Sequence, residues 1–119
     1  MREGRVLVAR RVFGGPLGGL WEFPGGKLEE GENEASALVR EFEEEFGARL
    51  AAVRSLGETT FLHNGRNRRL EAWLAELPES EMLQLREHQA CNWVDWSTLQ
   101  SLDLADSDHK LLPIIAGLF

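Results

Sequence analysis

Short runs of apolar residues, several of them β-branched or aromatic, recur along the chain and are separated by glycine, proline and asparagine. This pattern is typical of strands bounded by turns. The predicted strands lie at 5–13, 20–26, 51–63, 68–77 and 90–96. The sequence NGRN at 64–67 separates the two longest runs, which predicts that they form a hairpin.

Three segments have the pattern of helices. Asn33 is suited to cap a helix that runs to about Phe46, and its core-facing stripe contains Ala35, Leu38, Val39, Phe42 and Phe46. A short helix is predicted at 97–102 with Ser97 as its cap, and a C-terminal helix at 108–119 with Pro113 near its first turn. Strands mixed with helices predict an α+β or α/β sandwich around a mixed sheet.

The end of the first helix is unusually acidic. The sequence REFEEEFG at 40–47 places four glutamates before Gly47, a residue suited to a C-terminal cap. Negative side chains at a helix C-terminus are unfavourable by about 0.3–1 kcal/mol each. On a helical wheel Glu41, Glu44 and Glu45 share one face, Glu43 points elsewhere, and Arg40 lies one turn before Glu44.

Two interpretations fit this acidic face. A charge run is usually a solvated surface, and that accounts for EFEEE taken alone. Three carboxylates on one face also offer hard oxygen ligands for Mg²⁺, which in turn binds phosphates. The preceding sequence PGGKLEEGE favours the second interpretation, because its glycines allow a ligand to approach the backbone and Lys27 adds a positive charge.

Composition narrows the class of protein. The 119 residues fit one domain, and the net charge of −7 argues against binding of nucleic-acid polymers through a basic surface. The single cysteine, Cys91, excludes an internal disulfide. No signal peptide or membrane span is visible. We therefore expect a cytoplasmic protein, as a monomer or homodimer, with no membrane partner.

The segment 26–48 resembles the Nudix box, G-x5-E-x7-R-E-U-x-E-E-x-G-U, where U is a bulky hydrophobic residue. The matching positions are Gly26, Glu32, Arg40, Glu41, Phe42, Glu44, Glu45 and Gly47. Ala48 departs from the pattern, because a larger aliphatic residue is usual there. The resemblance implies a single Nudix domain over 1–119 with the α/β/α sandwich of that family, in the α+β class.

The resemblance also implies a site and a reaction. Glu41, Glu44, Glu45 and the carbonyl of Gly26 would hold Mg²⁺ or Mn²⁺, and Glu32 and Arg40 would orient these ligands. Water would attack a phosphorus of a nucleoside diphosphate that carries a further group. The cation neutralises charge on the phosphate oxygens, and a carboxylate accepts the proton of the water. The candidate catalytic residues are Glu44, Glu45, Glu87 and Arg40.

Sequence outside the box resembles the MutT-like branch of the family. The stretch LWEFPGGKLEEGE and the RR at 10–11 are similar to that branch, which implies that Arg11 and Lys27 bind the substrate phosphates. LREHQACNW at 85–93 is similar to its E-x-Q-x-x-x-W segment, which makes Glu87 a further metal ligand or the general base. Each residue is otherwise an ordinary charged surface position.

Several positions remain open between two roles. Asp106, with Asp108 as its competitor, lies where the branch contacts the base, although either one is also suited to cap the last helix. Trp21 and Phe61 are candidates to stack on a base, and equally are core aromatics. His88 is expected to be structural or exposed, and Cys91 to be a core residue.

Three candidate functions follow from this resemblance. The first is Mg²⁺-dependent hydrolysis of nucleoside triphosphates to monophosphate and pyrophosphate, on oxidised guanine nucleotides such as 8-oxo-dGTP or on CTP and dCTP. The second is hydrolysis of another substrate such as ADP-ribose, and the third is a nucleotide-binding module without turnover. The MutT-like branch normally has a strand before 5–11, and the resemblance implies that this strand is missing here, which would leave a sheet edge exposed.

Overall fold

The computed structural model of the protein describes residues 1–15, 18–25 and 32–119. Its strands are β1 (Val6–Arg11), β2 (Trp21–Glu22), β3 (Ala52–His63), β4 (Arg66–Glu76) and β5 (His88–Val94). Its helices are α1 (Glu34–Phe46), α2 (Trp96–Ser101), α3 (Asp106–His109) and α4 (Leu112–Ile115), followed by a 3₁₀ turn at Ala116–Leu118. The α+β class predicted from the sequence is confirmed.

The strands form two sheets. Strand β1 lies between β2 and β5 and is antiparallel to both. A parallel bridge between Trp21 and Leu104 adds the mixed character. Strands β3 and β4 form the predicted hairpin, whose turn places Asn64 and Gly65 at φ angles of 51° and 77°. Two successive positive φ angles are typical of the tight turns that match strand twist.

Hydrophobic residues of β1 pack on both faces of its sheet. Leu7 and Ala9 join a buried cluster against α1 with Phe42, Phe46, Ala48 and Leu50. Val8, which points the other way, joins a second cluster with Ala72, Val94, Leu99, Leu104 and Ile115. Because successive side chains of a strand point to opposite faces, this alternation places a helical layer on each side of the sheet.

Helix α1 begins and ends where the sequence predicts. The Asn33 side chain accepts a hydrogen bond from the Ser36 amide at 2.8 Å, and Gly47 adopts a left-handed φ of 65° while its N–H donates to the Glu43 carbonyl. Phe42 and Phe46 are buried as expected, but the buried alanine is Ala37 rather than Ala35. A further buried residue of this helix is a glutamate, described below.

The C-terminal part differs from the prediction. Asp95 caps α2 through a bond from the Thr98 amide at 2.9 Å, so Ser97 as cap is wrong. The helix predicted at 108–119 is divided into α3, α4 and the 3₁₀ turn. Pro113, at the start of α4, lacks an N–H and clashes with the carbonyl four residues earlier, so a continuous helix cannot pass through it.

The chain before β1 folds back on itself. Arg2 and Arg5 form a bridge across a turn in which Glu3 and Gly4 have positive φ angles. Within the described part of the chain β1 is the first strand. No helix in these same ranges has both the length and the apolar composition needed to cross a membrane.

Candidate active site

A cavity of about 230 Å³ opens where the ends of three strands meet α1. Its charged and polar lining comprises Arg11 of β1, Glu22 of β2, Glu87 and His88 at the start of β5, and Glu45 of α1; Val12, Gly14 and Gly15 complete it. Since Ala9 and Arg11 lie on the face of β1 that packs on α1, the sheet directs Arg11 toward the acidic end of the helix.

Glu45 is the most unusual residue of this cavity. It is only 6% exposed, and its Oε2 atom has no hydrogen-bond partner in the described residues. Burial, followed by the charges of Glu87, Glu22 and Glu41, raises the pKa of Glu45 to about 8, against a hydrogen bond from the Gly25 backbone. A carboxylate placed in this way is ready to bind a proton or a cation.

Three side chains from adjacent strands are joined at the cavity wall. Arg11 Nη1 donates to Glu22 Oε1 at 3.0 Å, and Glu22 Oε2 lies 2.8 Å from Nε2 of His88. Because a carboxylate only accepts, this imidazole nitrogen carries the proton. The His88 ring is buried and stacks on Phe46 of α1 at a centroid distance of 5.4 Å. Glu22 therefore connects an arginine to the helix-facing core.

Arg40 organises the other glutamates of α1. Its guanidinium makes two bonds to Glu32, at 2.7 and 2.9 Å. A third nitrogen, Nη1, lies 3.1 Å from an oxygen of Glu41 and 3.1 Å from one of Glu44. Such a planar fork holds carboxylates in fixed directions. Arg40 thus brings together three of the predicted site residues.

The predicted metal ligands do not all converge. Glu44 is 54% exposed at its side chain and faces Arg40, outside the cavity that Glu45 lines. Gly26 and Lys27 lie outside the described residues. Among the residues whose positions are given, no three histidine, cysteine, aspartate or glutamate side chains are arranged around one ion. The cavity thus has the donor chemistry for a cation, with Glu45 and Glu87 on its lining, without a closed coordination shell.

The two candidate base contacts occupy different environments. Asp108 Oδ1 accepts a hydrogen bond from the Phe23 amide at 2.9 Å, and burial, together with the Glu22 charge, raises its pKa to about 6. Asp106 is exposed. Neither caps a helix through its side chain, because Ala105 is at the N-cap position of α3. The capping interpretation is therefore wrong for both.

The remaining candidates have core positions or stay open. Trp21 packs against the second buried cluster and Cys91 against the first, which confirms Cys91 as a core residue. Phe61 is half-buried on the hairpin. His88 is buried rather than exposed. Sequence analysis missed Glu22, because its contacts depend on which strands pair. Its position in LWEFPGG, a stretch similar to the MutT-like branch, was the sequence feature that could have indicated it.

Comparisons with known proteins agree with this architecture. The family model described as NUDIX domain matches residues 1–114. The CTP pyrophosphohydrolase of Escherichia coli (strain K12) is 37% identical over 122 residues, covering 98% of this chain and 86% of that protein. The putative 8-oxo-dGTP diphosphatase 2 of Mycobacterium tuberculosis (strain ATCC 25618 / H37Rv) is 41% identical over 119 residues, covering 98% and 82%.

A solved structure supports the same assignment. The MutT NUDIX hydrolase from Burkholderia pseudomallei superposes with a TM-score of 0.79 at 28% identity, covering 97% of this chain and 91% of that one. The family model and the named relatives place the chain among hydrolases that act on phosphoric anhydrides. The chain belongs to the Nudix family, and within it is a MutT-like Nudix hydrolase.

Proposed function

We propose that this chain hydrolyses nucleoside triphosphates to nucleoside monophosphate and pyrophosphate, using Mg²⁺ or Mn²⁺. Cytidine nucleotides and oxidised guanine nucleotides are the substrates of choice. The Escherichia coli relative is named for hydrolysis of CTP and the Mycobacterium tuberculosis relative for hydrolysis of 8-oxo-dGTP, which supports these two substrate classes. Nudix hydrolases generally require a divalent metal.

The main support for this proposal is the buried carboxylate of Glu45. Its Oε2 atom has no hydrogen-bond partner among the described residues and lies at the cavity with Glu87 and Glu22; burial, followed by the charges of these two residues, raises the pKa of Glu45. Without a counter-charge, ionisation here is costly, because desolvation and repulsion both oppose it. A divalent cation removes both penalties, and carboxylate oxygens are the donors that Mg²⁺ prefers. The residues present therefore fit a metal.

The carboxylates of α1 would hold this ion. In the proposal Glu45 holds the ion at the cavity, and Glu41 and Glu44, which face Arg40 in this structure, would turn to join it with the Gly26 carbonyl. When bound, the cation would neutralise phosphate charge and lower the pKa of water. Arg40, with Glu32 behind it, keeps Glu41 and Glu44 oriented, as its bonds to all three carboxylates support.

Two further groups act on the substrate. Glu87 is exposed at the mouth of the cavity, and in this proposal its carboxylate oxygen accepts the proton of the attacking water. Arg11, nearly half-exposed at its side chain, binds the phosphates with Lys27, since a guanidinium fork matches phosphate oxygens. Asp106 and Asp108 are the candidates for contact with the base.

A substrate panel tests the proposal. The chain is incubated with 8-oxo-dGTP, dGTP, CTP, dCTP and ADP-ribose, with Mg²⁺ or with a chelator, and products are separated by chromatography. The expected products are monophosphate and pyrophosphate, formed only with metal. ADP-ribose cleavage without triphosphate cleavage would replace the proposed substrate class. Binding without any product would favour a non-catalytic module.

Two glutamates of α1 provide a matched comparison. Glu44→Gln removes the charge of a proposed metal ligand that is more than half exposed, so we expect turnover to fall by orders of magnitude with little loss of stability. Glu43→Gln makes the same exchange at the neighbouring exposed residue and should leave turnover unchanged. Equal activity of the two variants would remove Glu44 from the site.

A further inference from the structure

Glu22 stands out because two different partners occupy both of its carboxylate oxygens. Arg11 bonds to Oε1 at 3.0 Å and His88 to Oε2 at 2.8 Å. Its side chain is 17% exposed, that of His88 only 4%, and that of Arg11 45%. The buried end of this chain of contacts is therefore fixed in the core, and its outer end is an arginine at the cavity.

The strand pairing explains how the three side chains meet. Glu22 is paired with Ala9, and His88 with Arg11, across the two antiparallel ladders of β1. Residues opposite each other in such a ladder point to the same face. The register shifts between Arg10 and Arg11 in the ladder with β5, and a bulge of this kind redirects a side chain.

The backbone of Arg11 is held separately from its side chain. Its N–H donates to the Leu20 carbonyl at 2.9 Å, and its own carbonyl accepts from Gly19 N–H and from the Gln89 side chain. The long side chain beyond Cβ is nevertheless flexible and loses considerable entropy when fixed. The bond to Glu22 is the contact that the described residues provide to restrict it.

We infer that Glu22 is a positioning residue for Arg11, and that His88 holds Glu22 in the required orientation. Together they aim the Arg11 guanidinium at the cavity that Glu45 and Glu87 line. This inference rests on the proposed function, because it takes Arg11 as a phosphate ligand. Glu22 itself contacts neither metal nor substrate in this account.

A double-mutant cycle tests whether Glu22 acts through Arg11. We expect Arg11→Ala and Glu22→Ala each to raise KM by about 10- to 100-fold, the range for a lost hydrogen bond to a charged group. Their effect on kcat should be much smaller. The double variant should be no worse than Arg11→Ala alone, because Glu22 then has nothing to position. Full additivity of the two effects would overturn the inference.

The conservative variant separates positioning from charge. In Glu22→Gln the amide oxygen still accepts from Arg11, and the amide nitrogen donates to His88 in its other tautomer. We therefore expect Glu22→Gln to recover most of the KM that Glu22→Ala loses. A metal ligand or general base would be impaired equally by both exchanges, and that result would contradict the assignment. Glu79→Ala and Arg54→Ala, at exposed positions, serve as controls.

A binding measurement keeps this test independent of the activity. Calorimetric titration of inorganic pyrophosphate with Mg²⁺ should show the same cycle in Kd even where no nucleotide is hydrolysed. A wild-type chain that hydrolyses nothing but shows this non-additivity refutes the proposed activity and supports the inference. If the wild-type protein binds no pyrophosphate, the inference about Glu22 and Arg11 is overturned.

Variants of His88 test the inner contact. His88→Gln retains a donor for Glu22 and His88→Leu does not, so KM should rise more in the second variant than in the first. His109→Gln, at an exposed position, is the control. Unfolding midpoints show whether a variant has lost its fold. Should His88→Leu fail to fold, His88→Ala, which also lacks a donor for Glu22, takes its place, and a KM equal to that of His88→Gln would contradict the role of His88.

Discussion

Replacing Glu45 by glutamine should stabilise the metal-free protein at alkaline pH. The pKa of Glu45 is raised from 4.5 to about 8 in the folded state, so the folded chain binds more protons than the unfolded chain between these values. Stability then falls as pH rises through this window. Glutamine has no charge, and its amide oxygen can still accept the bond from the Gly25 backbone.

The structure sets the scale of this effect. One pKa unit corresponds to about 1.4 kcal/mol, which makes several kcal/mol the upper limit for Glu45. Relaxation of the site and entry of water raise the effective dielectric, so we expect about 1–2 kcal/mol between pH 5 and pH 8. The gain should be largest at pH 8 and small at pH 5, just above the unfolded pKa of 4.5, where the folded carboxyl is neutral and the loss of stability has only begun.

Urea unfolding with a chelator present, at pH 5 and at pH 8, measures this difference directly. Glu43→Gln is the matched control, because Glu43 is an exposed glutamate of the same helix, and it should show no such pH dependence. Adding Mg²⁺ at pH 8 should stabilise the wild type and not Glu45→Gln, since a ligand of the folded state stabilises it by mass action. A glutamine variant less stable than wild type at pH 8 would refute the reasoning.

Three further changes test other parts of the site. Arg40→Ala removes the hydrogen bonds of Arg40 to Glu32, Glu41 and Glu44. It should lower kcat at least tenfold in the metal-dependent assay, and an unchanged kcat would contradict the orienting role of Arg40. Asp108→Asn removes a carboxyl whose pKa is raised to about 6. Because the wild type loses stability as pH rises through this value, the melting temperature of the variant relative to wild type should increase from pH 5 to pH 8, and a decrease would contradict the pKa shift. Gly47→Ala places a Cβ 2.9 Å from Arg86 at a φ of 65°, which should cost about 1 kcal/mol by urea unfolding, and no loss would argue against the left-handed cap.

The sequence predicts the elements that depend on local chemistry. Asn33 and Gly47 set the ends of α1 because their side chains and φ preferences act within a few residues. The hairpin of β3 and β4 follows from a turn in which Asn64 and Gly65 both accept positive φ angles. These contacts are close in the chain, so the pattern of residues is sufficient to locate them.

The sequence does not predict contacts that depend on tertiary packing. Glu45 belongs to an acidic run whose usual position is solvent, yet it is buried beside Phe42 and Phe46. Glu22 and His88 are 66 positions apart in the chain. They meet only because β2 and β5 both pair with β1. The helix predicted at 108–119 is instead divided ahead of Pro113, and the cap of α2 is Asp95, two residues before the predicted Ser97.

In the proposed reaction the carboxylate of Glu45 binds a divalent cation that also contacts the nucleotide. Titration of Mn²⁺ into the protein, followed by electron paramagnetic resonance with and without a non-hydrolysable nucleoside triphosphate, tests it directly. We expect saturable binding in the wild type that tightens with nucleotide and is lost in Glu45→Gln but retained in Glu43→Gln. Equally tight Mn²⁺ binding in wild type and Glu45→Gln would contradict the account.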